Sequence, residues 1–174
     1  MKLVVCAFVL VFACARNDAD AQTRQIGQAS EIEQCAALRS RYDVATPESE
    51  PVIYVDSASV HYTRDEECTV ATRDTDGHWH VSAVSEEGSG LLNVEQHLVS
   101  KDVRSLSDIE SRQLDDLLKQ VDLYRESFDL SKAPYVGAMF HTMEIDTPAG
   151  HTVIRWTGRL LGKAGAVADL VIGP

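Results

Sequence analysis

The sequence predicts an α+β domain: a mostly antiparallel sheet with one main amphipathic helix on one face, plus an N-terminal helix joined to the sheet by a disulfide. Three observations carry this. Alternating apolar and polar residues flank short turns in "CTVATRDTDGHWHVSAV" and "HTMEIDTPAGHTVIRW", and period-two alternation across such turns marks paired strands. Between them, "SLSDIESRQLDDLLKQV" places leucines at helical spacing behind a capping signal. Finally, Cys35 and Cys68 are the only cysteines beyond the N-terminal apolar segment.

That segment, "MKLVVCAFVLVFACARNDADAQ", has one Lys, an apolar run from Leu3 to Ala15, and Ala19-Asp20-Ala21 before Gln22. This is the three-part layout of a secretory signal peptide. The run falls short of the roughly 20 apolar residues that a spanning helix requires. Residues 1–21 are therefore expected to be a signal peptide and 22–174 one exported domain, periplasmic or secreted, with no integral membrane span in the mature chain. The alternative is a lipoprotein anchored through Cys14, because Val11-Phe12-Ala13-Cys14 loosely resembles a lipobox. With either signal, an oxidising compartment pairs Cys35 with Cys68. Neither thiol then remains for nucleophilic or redox chemistry.

The formal net charge is −11, with 27 acidic residues against 16 scattered Lys and Arg. Nucleic acid and anionic membranes need basic patches and are excluded as partners.

The elements follow in order. Ser30 and Glu33 form a capping box for a helix over about 31–41 that carries Cys35. "DVATPESEP" is a connector into the β-rich "VIYVDSASVHY". Asp76-Gly77 predicts a hairpin with a two-residue loop, which sets Thr75 opposite His78 and Arg73 opposite His80. Cys68, Val70, Trp79, Val81 and Ala83 then share the apolar face, where the Cys35 helix docks, and Arg73, His78, His80 and Ser82 share the other. A bend at "SEEGSG" leads to another strand in "LLNVEQHLVS". Ser107 and Glu110 cap the main helix, expected over about 108–120, with Leu114, Leu117, Leu118 and Val121 as its stripe. Residues 125–137 read as a connector. The hairpin around "TPAG" puts Met139, His141, Met143 and Ile145 on a face with Ile154 and Trp156, and Glu144 and Asp146 near His151 and Arg155 on the other. "GKAGAVADLVIGP" closes as a short helix through Val167, Leu170 and Val171, its glycines lowering helix propensity.

Few residues point to chemistry. His78 and His80, two apart on a strand, have the geometry of zinc or copper ligands, but the expected register sets the cationic Arg73 across from His80. His141, among Met139, Met143 and Trp156, reads as a core histidine. Glu86 and Glu87 read as solvated, since adjacent carboxylates on a bend point apart and glycosidase pairs face each other. "EGSGL" around Ser89 lacks the first glycine of a nucleophile elbow. There is no phosphate-binding loop, and no cofactor is implied. The leading reading is thus a non-enzymatic binding module for a secreted or envelope protein, with Glu86, Glu87, Gly88, Ser89, Gly90 and Leu91 as an exposed recognition loop. The alternatives are a metal-binding protein or metal-dependent enzyme using His78 and His80, and a structural envelope protein.

From Trp79 to Val171 the order is strand, Gly-rich bend ("EEGSGLL"), strand, amphipathic helix ("SRQLDDLLKQVDLY"), hairpin and helical tail. This order resembles the small emfourin-type proteins, which inhibit thermolysin-like metalloproteases, and the resemblance implies a protease-inhibitor-like function. The chain departs from that family in having Gly88-Ser89-Gly90 where paired glycines precede an aromatic, and in its N-terminal disulfide-linked segment. No functional residue carries over.

Overall fold

The computed structural model describes residues 31–47, 50–60, 63–89, 96–125 and 139–173. Along the chain lie α1 (Glu31–Arg41), β1 (Val52–Val60), β2 (Thr63–Arg73), β3 (Trp79–Ser89), β4 (His97–Ser105), α2 (Asp108–Leu118), a 3-10 turn (Leu123–Arg125), β5 (Met139–Thr147), β6 (Gly150–Thr157) and α3 (Gly162–Ile172). The strands form one sheet in the order β4-β3-β2-β1-β5-β6, with every neighbouring pair antiparallel. No described helix is long and apolar enough to cross a membrane.

The sheet buries both faces, because both parities of its central strands carry apolar residues. On one face Ile53, Val55, Ala71, Trp79, Val81, Met143, Ile145 and Ile154 pack against Leu114 and Leu118 of α2 and Ala164, Val167 and Val171 of α3. On the other, Val52, Cys68, Val70 and Val84 pack against Cys35 and Leu38 of α1. The Cys35–Cys68 disulfide forms as expected and ties α1 to β2.

The β2–β3 register corrects the predicted hairpin. Arg73 lies opposite Trp79 and Thr72 opposite His80, one residue away from the expected pairing. The loop has three residues between Asp74 and His78: the Asp74 N–H donates to His78 O at 2.9 Å, and Gly77 takes a φ of 91°. This is a turn followed by a left-handed glycine, the usual three-residue solution. Asp74 reinforces it by accepting the His78 N–H on its carboxylate at 2.8 Å. A one-residue slip exchanges the faces. Cys68 and Val70 therefore lie on the α1 face, opposite to Trp79 and Val81, and Arg73 reaches Asp115 of α2 at 2.9 Å on the other.

Other expectations fared unevenly. The capping box of α2 is present in both directions between Ser107 and Glu110. Val121 lies past the helix end and is exposed. The β5–β6 register agrees with the prediction, with His141 opposite Trp156 and Met143 opposite Ile154. His151 meets Glu144 at 2.7 Å. The fourth strand runs over His97–Ser105, further along than expected, and 90–95 lie outside the described residues, as do the Ser30 cap and most of the 125–137 connector. Gly165 has a packing role, since a Cβ there would stand 2.4 Å from the Leu160 carbonyl oxygen. Its absence lets α3 sit down on the chain that enters it.

Candidate functional site

The face that carries α2 and α3 changes character along the strands. One row across the sheet reads Met143, Val55, Thr69, Ala83; two residues further out it becomes His141, Ser57, Glu67, Ser85, Ser100, and then Met139, Ser59, Asp65, Glu87. The outer rows line an open cleft of ≈ 310 Å³ whose wall includes Ser57, Asp65, Glu67, Ser85, Glu87, Val99 and Met139. Glu67 accepts the Thr69 hydroxyl at 3.0 Å and Asp65 the Ser59 hydroxyl at 3.1 Å. Val99 is 56% and Met139 38% exposed, so apolar flanks stand beside the carboxylates. An aliphatic stem ending in a cation matches such a lining, since Lys and Arg bury their methylenes and keep the charged head among polar groups.

The predicted recognition strip divides at this point. Glu87 is exposed and lines the cleft. Glu86 also contributes to the cleft lining but is not the solvated residue expected: only 1% of it is exposed, and its carboxylate turns toward the α1 side. There its Oε2 pairs with the Arg41 guanidinium and accepts the Tyr42 hydroxyl at 3.0 Å. Arg41 also donates to Gln96 at 2.9 Å, and Glu66, itself buried, lies directly across from Glu86. This cluster anchors the end of α1. Gly88 is buried beneath Gln96, and Ser89 ends β3, so the expected bend is strand as far as residue 89, with a register shift between Ser85 and Glu86. Gly90 and Leu91 lie outside the described residues. Asp65, Glu67 and Ser57 were missed; their signal is the alternation in "DSASVHYTRDEEC", which keeps the parity of Val55 and Ala71 while changing to polar residues.

His78 lies in the hairpin loop and His80 on the α1 side of β3. The His78 Nδ1 is 3.7 Å from Asp108. Both nitrogens of His80 are engaged, Nδ1 with the Ser105 hydroxyl and Nε2 with the Asp74 carboxylate, each at 2.9 Å. The His80 hydrogen bond, with the His78 N–H, holds Asp74 down at about 2. Arg73 faces away, so the electrostatic objection to a metal disappears. Among the described residues, however, no group of three or more His, Cys, Asp or Glu side chains is placed to hold a metal ion. The chain Asp74–His80–Ser105 fastens the hairpin to β4.

His141 stacks on Trp156 with ring centroids 4.9 Å apart, and its Nδ1 is 2.8 Å from the Ser57 hydroxyl. Burial pushes its pKa below the ordinary 6.5. Because the folded value is depressed, the neutral ring's contribution is complete above about pH 6.5 and is lost as pH falls through the folded value. Wild type is expected to lose melting temperature relative to His141→Phe on going from about pH 7.5 to about pH 5. A gap independent of pH would show that the ring carries no such linkage.

No family model, curated protein or solved structure matches the chain.

Proposed function

We propose that this is an exported, non-enzymatic binding module that holds a Lys or Arg side chain of a secreted or envelope protein in the acidic cleft at the outer end of the sheet. The observation that carries the reading is the three-strand alignment of Ser57, Glu67 and Ser85 with Ser59, Asp65 and Glu87, flanked by Val99 and Met139. The N-terminal apolar segment and the disulfide support export. The emfourin-like order of elements supports a secreted protease as the partner's class.

The test is capture from native envelope and medium with mature protein as bait, beside a Glu67→Gln/Glu87→Gln variant. Both changes are isosteric and remove charge where the cleft is open. Wild type is expected to capture a partner that is released as salt approaches about 1 M, where the Debye length falls to about 3 Å. The variant is expected to lose at least about tenfold in affinity, near 1.4 kcal/mol. Unchanged capture by the variant would place recognition elsewhere.

A further inference from the structure

We propose that β4 is the subunit interface of a two-fold dimer, in which two copies of this chain join their sheets edge to edge about Val103. The inference is independent of the cleft. β4 is an outer strand of nine residues without proline, and most of it is exposed. The Leu106 N–H donates to Trp79 O at 2.8 Å, which fixes the ladder's phase. By antiparallel alternation, Ser105, Val103 and Lys101 turn both backbone N–H and C=O away from β3. Among the described residues these groups meet no backbone partner, and such a row is a template for another strand.

The usual protections of such an edge are reduced in this strand. The Lys101 ammonium is folded back onto the Tyr42 carbonyl, and the register shift lies at the far end, between Ser85 and Glu86. Val103 is 78% exposed, the most exposed large apolar side chain among the described residues.

Charge selects the second copy and its register. With Val103 opposite Val103 of a second copy, Asp102 of each chain faces Arg104 of the other, twice, on the α3 side of the sheet. Lys101 faces Ser105, and its outward backbone groups are in phase for exchange. Sliding by one step in either direction sets Asp102 against Asp102 or Arg104 against Arg104. The Arg104 guanidinium already gives Nη2 to the Leu170 and Val171 carbonyls, at 2.6 and 3.1 Å, which orients it along this face and leaves donors to spare. Such an interface is isologous and closes on itself.

The experiment is sedimentation velocity on the mature protein over a wide concentration range, with the same on Val103→Pro and Asp102→Arg, and a cysteine pair of variants for register. Wild type should reach twice the chain mass. Val103→Pro removes an outward N–H at an exposed site, and Asp102→Arg makes both reciprocal pairs repulsive; each should weaken dimerisation at least about tenfold while melting shows the fold retained. In the register test, Val103→Cys should cross-link spontaneously, because directly opposed Cα atoms about 5.5 Å apart lie within disulfide range. Lys101→Cys should not. A monomer at every concentration, a dimer indifferent to both edge variants, or cross-linking at 101 in preference to 103 would each overturn the proposal. If Val103→Pro melts early, Asp102→Arg and the cysteine pair still decide it.

Discussion

Trp79→Ala is expected to lower the unfolding free energy by about 3–5 kcal/mol, the range for deleting a large aromatic from a packed interior. Trp79 is fully buried between β3 and α2, and its Nε1 donates to Asp115 at 2.9 Å. Arg73 contacts the other oxygen of that carboxylate, also at 2.9 Å. The ring therefore fills the core beneath α2 and helps to fix the helix's rotation about its axis. Trp79→Phe separates the two roles: it keeps most of the apolar volume and loses the hydrogen bond, for about 1–2 kcal/mol. Urea unfolding should show a lower midpoint with an unchanged slope for both variants, and the loss in Ala should exceed that in Phe by at least about 1 kcal/mol. Equal losses would mean that the Asp115 bond, not the packing, dominates.

Trp79 also marks where sequence patterning stops being sufficient. The α2 helix was legible because its information is local: Ser107 and Glu110 reciprocally cap it, and Leu114 and Leu118 reach the core as the spacing demands. The β5–β6 hairpin was legible because only one parity of its residues is strongly apolar. In β2 and β3 both parities are apolar, since α1 covers one face and α2 with α3 the other. Alternation therefore could not choose between adjacent registers, and the Asp76-Gly77 dipeptide fits a three-residue loop as readily as a two-residue one. The slip moved Cys68 away from Trp79. The cleft was hidden for a related reason: Asp65, Glu67 and Glu87 become neighbours only once β2 and β3 are aligned in the observed register, and Ser57 and Ser59 join them only when β1 is added. Glu86 was misread because its burial depends on Arg41 and Tyr42, more than forty residues away in the chain.

Removing the disulfide, by Cys35→Ala/Cys68→Ala or by reduction, is expected to cost about 3–4 kcal/mol, because a bridge across a separation of 33 residues restricts the unfolded chain by that much on the chain-entropy model. For a chain of this size that lowers the melting temperature by about 6–16 °C. The loss should not be evenly distributed. The α1 face is a small cluster of Cys35, Leu38, Val52, Cys68, Val70 and Val84, with Arg39 fixed by hydrogen bonds to Ala45 and Ser82, whereas α2 and α3 share a much larger core. Without the bridge, α1 retains Leu38, Arg39 and the Arg41–Glu86 pair as its main attachments, and eleven isolated residues are too few for a stable helix. Hydrogen exchange in α1 should therefore accelerate before exchange in α2 and α3 does, since regions with fewer buried contacts open at lower free energy. Uniform acceleration in all three helices would mean that the α1 face unfolds only with the whole molecule. That result would make the bridge a stabiliser of the entire sheet rather than a tether for one helix.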